Sequence, residues 1–145
     1  TFKIGSYFDP RKGEKFDLII SDISSINDEV ANKSEWYNGV VCQSGEDGLN
    51  NVNEVLKNIS SYLNKDGFFI LPIISLSAVN LLEKKLKSKF KKVVFSKKTS
   101  WPLPPFFERN IKVFQKYKNM GHIDYEYKYG IHIAFTAVAT CQSVK

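Results

Sequence analysis

Apolar residues follow two different patterns that alternate along the chain. Residues 15–21 and 68–74 are apolar at nearly every position, which is typical of strands inside a parallel sheet whose two faces are both covered. Residues 46–67 and 75–90 instead repeat apolar residues every three or four positions, which predicts two amphipathic helices. A third strand is predicted at the segment KKVVF, residues 91–95. Strands that alternate with helices in this way predict an α/β domain.

The two ends of the chain carry further strand signals. Residues 2–4 can form a short strand, which the turn-rich segment GSYFDPRKG would close. Pro105 can open a helix that ends before Gly121, because proline fits the first helical turn. Residues 122–140 alternate strongly, which predicts a last strand with two different environments, and Gly130 marks a bulge or turn within it. We therefore expect parallel strands followed by a closing antiparallel strand pair.

Composition and charge narrow the classes of function. With 145 residues, of which 43% are hydrophobic, the chain has the composition of one ordinary globular domain. Its longest apolar run, at residues 68–74, is far shorter than the roughly 20 residues of a membrane-spanning helix. The net charge of +6 comes almost wholly from lysine, which lacks the bidentate geometry of arginine, so nucleic-acid binding is only weakly supported. We expect a cytoplasmic protein that has no membrane partner.

The cysteines and histidines show no metal-binding pattern. Cys42 and Cys141 are not part of a CxxC or mixed Cys/His motif, which favours free thiols in a reducing compartment. His122 and His132 each stand alone in the sequence. We therefore assign none of these side chains to a metal.

Several segments follow one another in an order that is known from one enzyme family. They are GSYFDP, KFDLIISDIS, LNKDGFFILPI, a helix that leads into KKVVF, and the last strand IHIAFTAVAT. In this order they resemble the carboxyl-terminal portion of a class I S-adenosylmethionine-dependent methyltransferase. The resemblance implies a Rossmann-like, mostly parallel sheet with a C-terminal antiparallel strand pair. In this family the full order of the strands across the sheet is three-two-one-four-five-seven-six. It also implies S-adenosyl-L-methionine as cofactor and methyl transfer to an unidentified nucleophilic acceptor.

The resemblance assigns roles to residues that follow two of the strands. KFDLIIS is similar to the family's fourth strand, so Ser21 at its end would bind the cofactor and Asp22 would be the catalytic residue. GSYFDP is similar to the loop after the third strand, where Ser6 would accept a hydrogen bond from the adenine amino group and Tyr7 or Phe8 would stack on the ring. The Asn-Pro-Pro-Tyr tetrad of amino-group methyltransferases is replaced by Asp-Ile-Ser-Ser, which argues against an amide or base nitrogen as acceptor.

The residues after the fourth strand would recognise the acceptor. The candidates for this role are Ser24, Ser25, Trp36, Tyr37 and Asn38. Alternatively, Trp36 packs the loop against the core, while the polar side chains of Ser44, Glu46 and Asp47 cap the next helix. Asp22 likewise has two interpretations, as a base that takes the acceptor's proton or as a cap on the turn that begins at Ile23.

Two elements with which the family binds its cofactor are missing from the chain. Neither the glycine-rich turn after the first strand nor the acidic residue at the end of the second strand is present. We therefore expect residues 1–145 to form a single, incomplete methyltransferase-like domain, inactive alone, whose sheet is completed by a missing N-terminal part or by a partner chain. The strand at residues 17–20 should then have an unpaired hydrophobic edge. The alternative is a non-catalytic methyltransferase-like subunit that pairs with a partner through this edge.

Overall fold

One mixed β-sheet with helices packed against it organises the chain in a computed structural model that describes residues 1–37 and 39–145. The strands are β1 (Phe16–Ile20), β2 (Leu63–Ile74), β3 (Phe90–Phe95), β4 (Thr99–Pro102), β5 (Glu126–Lys128) and β6 (Ile131–Val144). The helices are α1 (Asp28–Lys33), α2 (Asn50–Tyr62), α3 (Val79–Lys89), α4 (Pro105–Arg109) and α5 (Ile111–Asn119). Short 3₁₀ turns lie at Asp9–Arg11 and Glu35–Tyr37. No helix of the described residues is long and apolar enough to cross a membrane.

The strands lie in the order β1-β2-β6-β3, and β4 and β5 also pair with β6. β1 runs parallel to β2, whereas β6 runs antiparallel to each of its partners. Because β6 lies between β2 and β3 and opposes both, β1, β2 and β3 point in the same direction. The predicted α/β class is confirmed. The expectation of a mostly parallel sheet is wrong, because β6 separates β2 from β3 and leaves β1 and β2 as the sole parallel strand pair in the described residues.

The closing antiparallel pair is a tight hairpin between β5 and β6. Lys128 pairs with Ile131, and the two residues between them, Tyr129 and Gly130, have φ angles of 56° and 79°. Two consecutive residues with positive φ form the turn whose twist suits an antiparallel pair. The prediction of a turn at Gly130 is therefore confirmed.

Helices α2 and α3 cover one face of the sheet and bury its main core. The alternate β2 residues Phe69, Leu71 and Ile73 point to this face and belong to the same buried cluster as both helices. Phe69 stacks on Phe90 of β3, with ring centroids 5.8 Å apart. Each such side chain stabilises the fold by roughly 1.5–3 kcal/mol by leaving water. A second cluster, which includes Phe107, packs α4 and α5 onto the first half of β6.

The opposite face of the same strands is partly bare. Leu18 and Phe68 are neighbours in the β1–β2 ladder and remain 51% and 41% exposed, and Ile20 is 65% exposed. On the same face, Val138 of β6 and Val94 of β3 are also exposed. Beyond β1, no strand of the described residues pairs with the outer edge. The chain therefore has the unpaired hydrophobic edge that the sequence predicts.

Several further expectations differ from the structure. Residues 63–67, predicted as the end of a helix, belong to β2, and the strands predicted at 15–21 and 68–74 have one bare face instead of two covered ones. Residues 2–4 form no strand and expose Phe2 and Ile4 fully, because a strand requires a neighbour and no described residue pairs with them. Thr99–Pro102 forms β4, although the prolines of WPLPP indicate a break of the backbone there; Pro102 is the last residue of this short strand and disturbs little of the ladder. The helix predicted from Pro105 is divided at Asn110 into α4 and α5.

Candidate functional site

The candidate site begins where β1 ends, beside β2. The amide of Ser21 continues the ladder by donating to the Ile70 carbonyl at 3.0 Å, and Ser21 is buried. Asp22 follows with an exposed side chain that makes no hydrogen bond to any described residue. The structure thus does not show Asp22 as a cap on the following turn. The residue that caps α1 is Asn27, whose side-chain oxygen accepts from two amides of the first turn.

A cavity of about 220 Å³ (the Tyr7 cavity) lies between the loop before β1, the end of β1 and helix α2. Tyr7, Ser21 and Asp22 are in its wall. The Tyr7 hydroxyl donates to the Asn51 side chain at 2.8 Å, which ties the loop to α2. Ser6 is exposed and is not in this wall. Of the three residues predicted to bind the cofactor, the structure therefore brings together Tyr7 and Ser21 but not Ser6.

Phe8 fixes the loop that carries Tyr7. Its ring stacks on Tyr62, the last residue of α2, with centroids 4.4 Å apart and planes inclined by 9°. The ring of Tyr7 is about half exposed and can stack on a planar ligand. The cavity's 220 Å³ is below the roughly 300–1,000 Å³ that is usual for small-molecule sites. The described residues therefore enclose only part of a site of that kind.

A second cavity, of about 390 Å³ (the Tyr37 cavity), also has Asp22 in its wall. Ser24, Ser25 and Tyr37 line it as well. The rest of the wall is mainly apolar and comes from β2 and from residues 40–42. Four of the residues predicted to act on the acceptor are therefore brought together.

The two serines of the Tyr37 cavity hold the surrounding loops together. The Ser24 hydroxyl donates to the Cys42 carbonyl, and the Ser25 hydroxyl donates to the Gly48 carbonyl at 3.0 Å. A hydroxyl that donates to the backbone keeps lone pairs that can accept, but its proton is no longer available to a ligand. Both serines therefore position the loop of residues 40–48 and can act on a ligand only as acceptors.

The aromatic residues of the loop have separate roles. Tyr37 lines the cavity, whereas Trp36 does not and packs against Trp101 at 5.4 Å and Phe106 at 5.7 Å between ring centroids. These contacts of Trp36 agree with the interpretation in which it packs the loop onto the core. Burial raises the pKa of Tyr37 and of Cys42, so both stay protonated at neutral pH. Asn38, the remaining acceptor candidate, lies outside the described residues.

Two of the polar side chains predicted to cap α2, those of Ser44 and Asp47, accept hydrogen bonds from amides at the start of that helix, whereas no such bond of the Glu46 side chain is present among the described residues. The Asn51 amide donates to the Ser44 hydroxyl at 3.1 Å, and the Leu49 amide donates to an Asp47 carboxylate oxygen at 2.9 Å. These bonds satisfy backbone donors at the helix start. The end of the loop is therefore fixed where it meets the sheet.

Asp22 is common to the two cavities. Together with Ile23 it is in both walls, and it stands at the carboxyl end of β1, where ligands bind in parallel α/β sheets. Its exposed carboxylate can accept a hydrogen bond from an amine or a hydroxyl and can take up a proton. The position therefore lets Asp22 contact ligands in either cavity.

The sheet side of the Tyr37 cavity is not among the predicted site residues. It consists mainly of Pro72, Ile74 and Thr136. Alternation along β2 could identify the first two, but Thr136 joins them only because β6 pairs with β2, which no local pattern reports. Ser75, also at a strand end, is buried and accepts from the Phe135 amide at 3.0 Å, so its role is structural.

Comparison with known proteins adds no relative. No family model, no curated protein and no solved structure matches the chain. A functional proposal for this chain therefore depends on its own residues and on the resemblance of its motifs.

Proposed function

We propose that the chain forms the carboxyl-terminal part of an S-adenosylmethionine-dependent methyltransferase, in which Asp22 positions the methyl acceptor. The observation that carries the proposal is the place of Asp22 in the walls of both cavities. A carboxylate at this junction can contact an acceptor in the Tyr37 cavity while it faces a donor in the Tyr7 cavity. Among the described residues, no other charged side chain is common to the two walls.

The strand order supports the same proposal. β1, β2, β6 and β3 lie in the order that the resemblance implies for strands four, five, seven and six. The long antiparallel strand β6 stands between two strands that are parallel to each other. Because the chain must leave the sheet after β3 and return to a position inside it, this order is more specific than the α/β class alone.

S-adenosylmethionine fits the described residues in part. When bound, it supplies an electrophilic methyl group on a positively charged sulfur. Tyr7 offers an exposed ring on which a planar base can stack, and Ser21 stands beside it in the same wall. The Tyr7 cavity is too small for the whole cofactor, so the remaining contacts would come from residues that complete the sheet beside β1.

The proposed chemistry of the chain's own residues is simple. The Asp22 carboxylate accepts the hydrogen bond of an amine or hydroxyl, orients that group toward the Tyr7 cavity, and takes its proton as the new bond forms. The neutral phenol of Tyr37, in the wall of the same cavity, can donate a hydrogen bond to the acceptor. Apolar side chains from β2 keep water away from the acceptor.

A non-catalytic methyltransferase-like subunit is the second candidate. The free edge of β1 and the exposed side chains of Leu18 and Phe68 favour it, because they offer a surface for strand pairing with a partner chain. The hydroxyls of Ser24 and Ser25 also favour it, because both donate to the backbone and leave fewer groups for an acceptor.

Calorimetric titration of the intact natural protein with S-adenosylmethionine tests the first candidate. We expect a dissociation constant in the micromolar range. Asp22→Asn should change this constant by no more than about threefold and reduce methyl transfer at least about a hundredfold, because a positioned base typically contributes a factor of that size or more. Asp66→Asn, at an exposed carboxylate on β2, is the matched control and should leave both quantities unchanged.

Two results would decide against methyl transfer by Asp22. The absence of any heat from a folded, intact protein would favour the non-catalytic subunit. Full activity of Asp22→Asn in a protein that binds the cofactor would remove Asp22 from the mechanism.

A further inference from the structure

A third cavity, of about 420 Å³ (the Lys98 cavity), lies on the face of the sheet that α3 covers. The first turn of α3, the segment after β3, the segment after α5 and the first half of β6 form its wall. None of the predicted site residues lines it. Its volume is within the roughly 300–1,000 Å³ that is usual for small-molecule sites. It is therefore large enough for a ligand of its own.

The wall of the Lys98 cavity has an apolar part beside its polar and charged side chains. The apolar part consists of Ile73, Phe95, Ile123, Phe135 and Ala137. These side chains come from β2, β3, the segment after α5, and β6. A ligand with an apolar body would displace water from this surface, which is favourable.

The wall of the Lys98 cavity carries two lysines, Lys98 and Lys118, and two acidic residues, Glu83 and Asp124. Glu83 pairs with Lys87 at 2.5 Å, and Asp124 pairs with Lys118 at 3.0 Å, so both acidic side chains of the wall already have a partner. Lys98 lies 3.9 Å above the centre of the Phe135 ring and forms no salt bridge with any described residue. Because Glu83 pairs with Lys87, which lies outside the wall, Lys98 is the wall lysine that has no salt bridge among the described residues.

We propose that the Lys98 cavity binds a small amphiphilic anion, whose apolar body contacts Phe95 and Phe135 and whose single carboxylate pairs with Lys98. The Phe135 ring lies against the ammonium group of Lys98, which is otherwise exposed. A cationic ligand would meet a positive charge there, and the neighbouring carboxylates already have lysine partners. A phosphate carries more negative charge than the one unpaired lysine balances.

Titration of the ¹⁵N-labelled intact protein with octanoate and with octylamine, followed by amide chemical shifts, tests the proposal. The two probes have the same apolar chain and opposite charge. We expect octanoate to shift the amides of Ile123, Phe135 and Ala137 and to bind about two- to fivefold more tightly than octylamine, which is the range of an exposed ion pair. Lys98→Met should remove this difference, and Lys98→Glu should reverse it.

Lys97→Met is the matched control, because Lys97 is also exposed but is not in the cavity wall. It should leave the preference for octanoate unchanged. Equal binding of the two probes to the unaltered protein would overturn the proposal, as would a preference that survives Lys98→Glu. Shifts confined to Leu18, Phe68 and Val138 would also overturn it, because they would place the probe on the bare face of the sheet.

Discussion

Replacing Asn27 by alanine should loosen the loops that wall the Tyr37 cavity. Asn27 is 0% exposed, and its side-chain oxygen accepts from the amides of Glu29 at 2.9 Å and Val30 at 3.1 Å. Its side-chain nitrogen donates to the Glu46 carbonyl. One side chain thereby joins the start of α1 to the loop that precedes α2.

The expected loss follows from these bonds. Removal of a helix-capping side chain costs about 1 kcal/mol of unfolding free energy. The part-buried carbonyl of Glu46 loses its donor as well, which costs about another 1–2 kcal/mol. Asn27→Ala should therefore lower the free energy of unfolding by about 2–3 kcal/mol. Asn27→Ser, which retains an oxygen for the cap but not the donor, should recover about 1 kcal/mol of that loss.

Urea unfolding of the protein, followed by circular dichroism, measures this loss. With a slope of about 2 kcal/mol per molar urea, the midpoint of Asn27→Ala should fall by about 1–1.5 M. Asn58→Ala is the matched control, because Asn58 is exposed on α2 and only donates to the Glu54 carbonyl of its own helix at 3.0 Å. It should cost less than about 0.5 kcal/mol. Equal losses for the two alanine variants would refute the structural role of Asn27.

Three further substitutions or treatments have defined outcomes. Gly48 and Gly121 share a φ of +74°, but an added Cβ would lie 2.7 Å from another side-chain carbon at Gly48 and meet nothing within 4 Å at Gly121. In urea unfolding, Gly48→Ala should therefore cost at least about 1 kcal/mol more than Gly121→Ala, and equal costs would contradict the close contact. Burial raises the pKa of Cys141 to about 12. Between about pH 9 and pH 12 this thiol therefore ionises only in the unfolded chain, so the free energy of unfolding should fall as the pH rises through this range. Below pH 9 this thiol should not affect the free energy of unfolding. Slow alkylation of native Cys141, against fast alkylation in urea, checks the same burial, and equal rates would contradict it. If a further segment or a partner chain covers the bare face, as the proposed function requires, Phe68→Lys should cost at least about 2 kcal/mol, whereas Val41→Lys, at a 90% exposed position, should cost less than about 0.5 kcal/mol. Equal small costs would show that nothing covers the face.

The strongly periodic parts of the chain are those that the sequence predicts well. The strands at 16–20 and 90–95 and the helices at 50–62 and 79–89 all fall within a few residues of the predicted segments. Their apolar spacing reports the burial of a face, and burial determines these elements. β4 is missed because its Trp-Pro sequence indicates a break, while its pairing with β6 depends on a distant segment.

In the candidate site, too, the sequence predicts what local patterns determine and misses what distant contacts determine. Asp22 is predicted correctly as the carboxylate at a strand end, because the end of an apolar run is visible in the sequence. The contacts of Ser24 and Trp36 are not visible, because they depend on partners that lie 18 or more residues away, at Cys42 and Trp101. Local patterns thus locate the strand that carries the site, while long-range packing decides which side chains remain available to a ligand.

The free edge of β1 and the small volume of the Tyr7 cavity have one physical explanation. In a parallel sheet a ligand lies beyond the carboxyl ends of adjacent strands, so a site at the end of an edge strand has a sheet wall on one side only. β2 supplies that wall for the Tyr37 cavity, whereas the Tyr7 cavity has the loop around Tyr7 in its place. A strand added along β1 would bring its own carboxyl end next to Ser21, and the helix connected to it would cover Leu18 and Ile20. Under the proposed function, pairing of a further strand with β1 and binding of the proposed cofactor should therefore be coupled, because the same segment would do both.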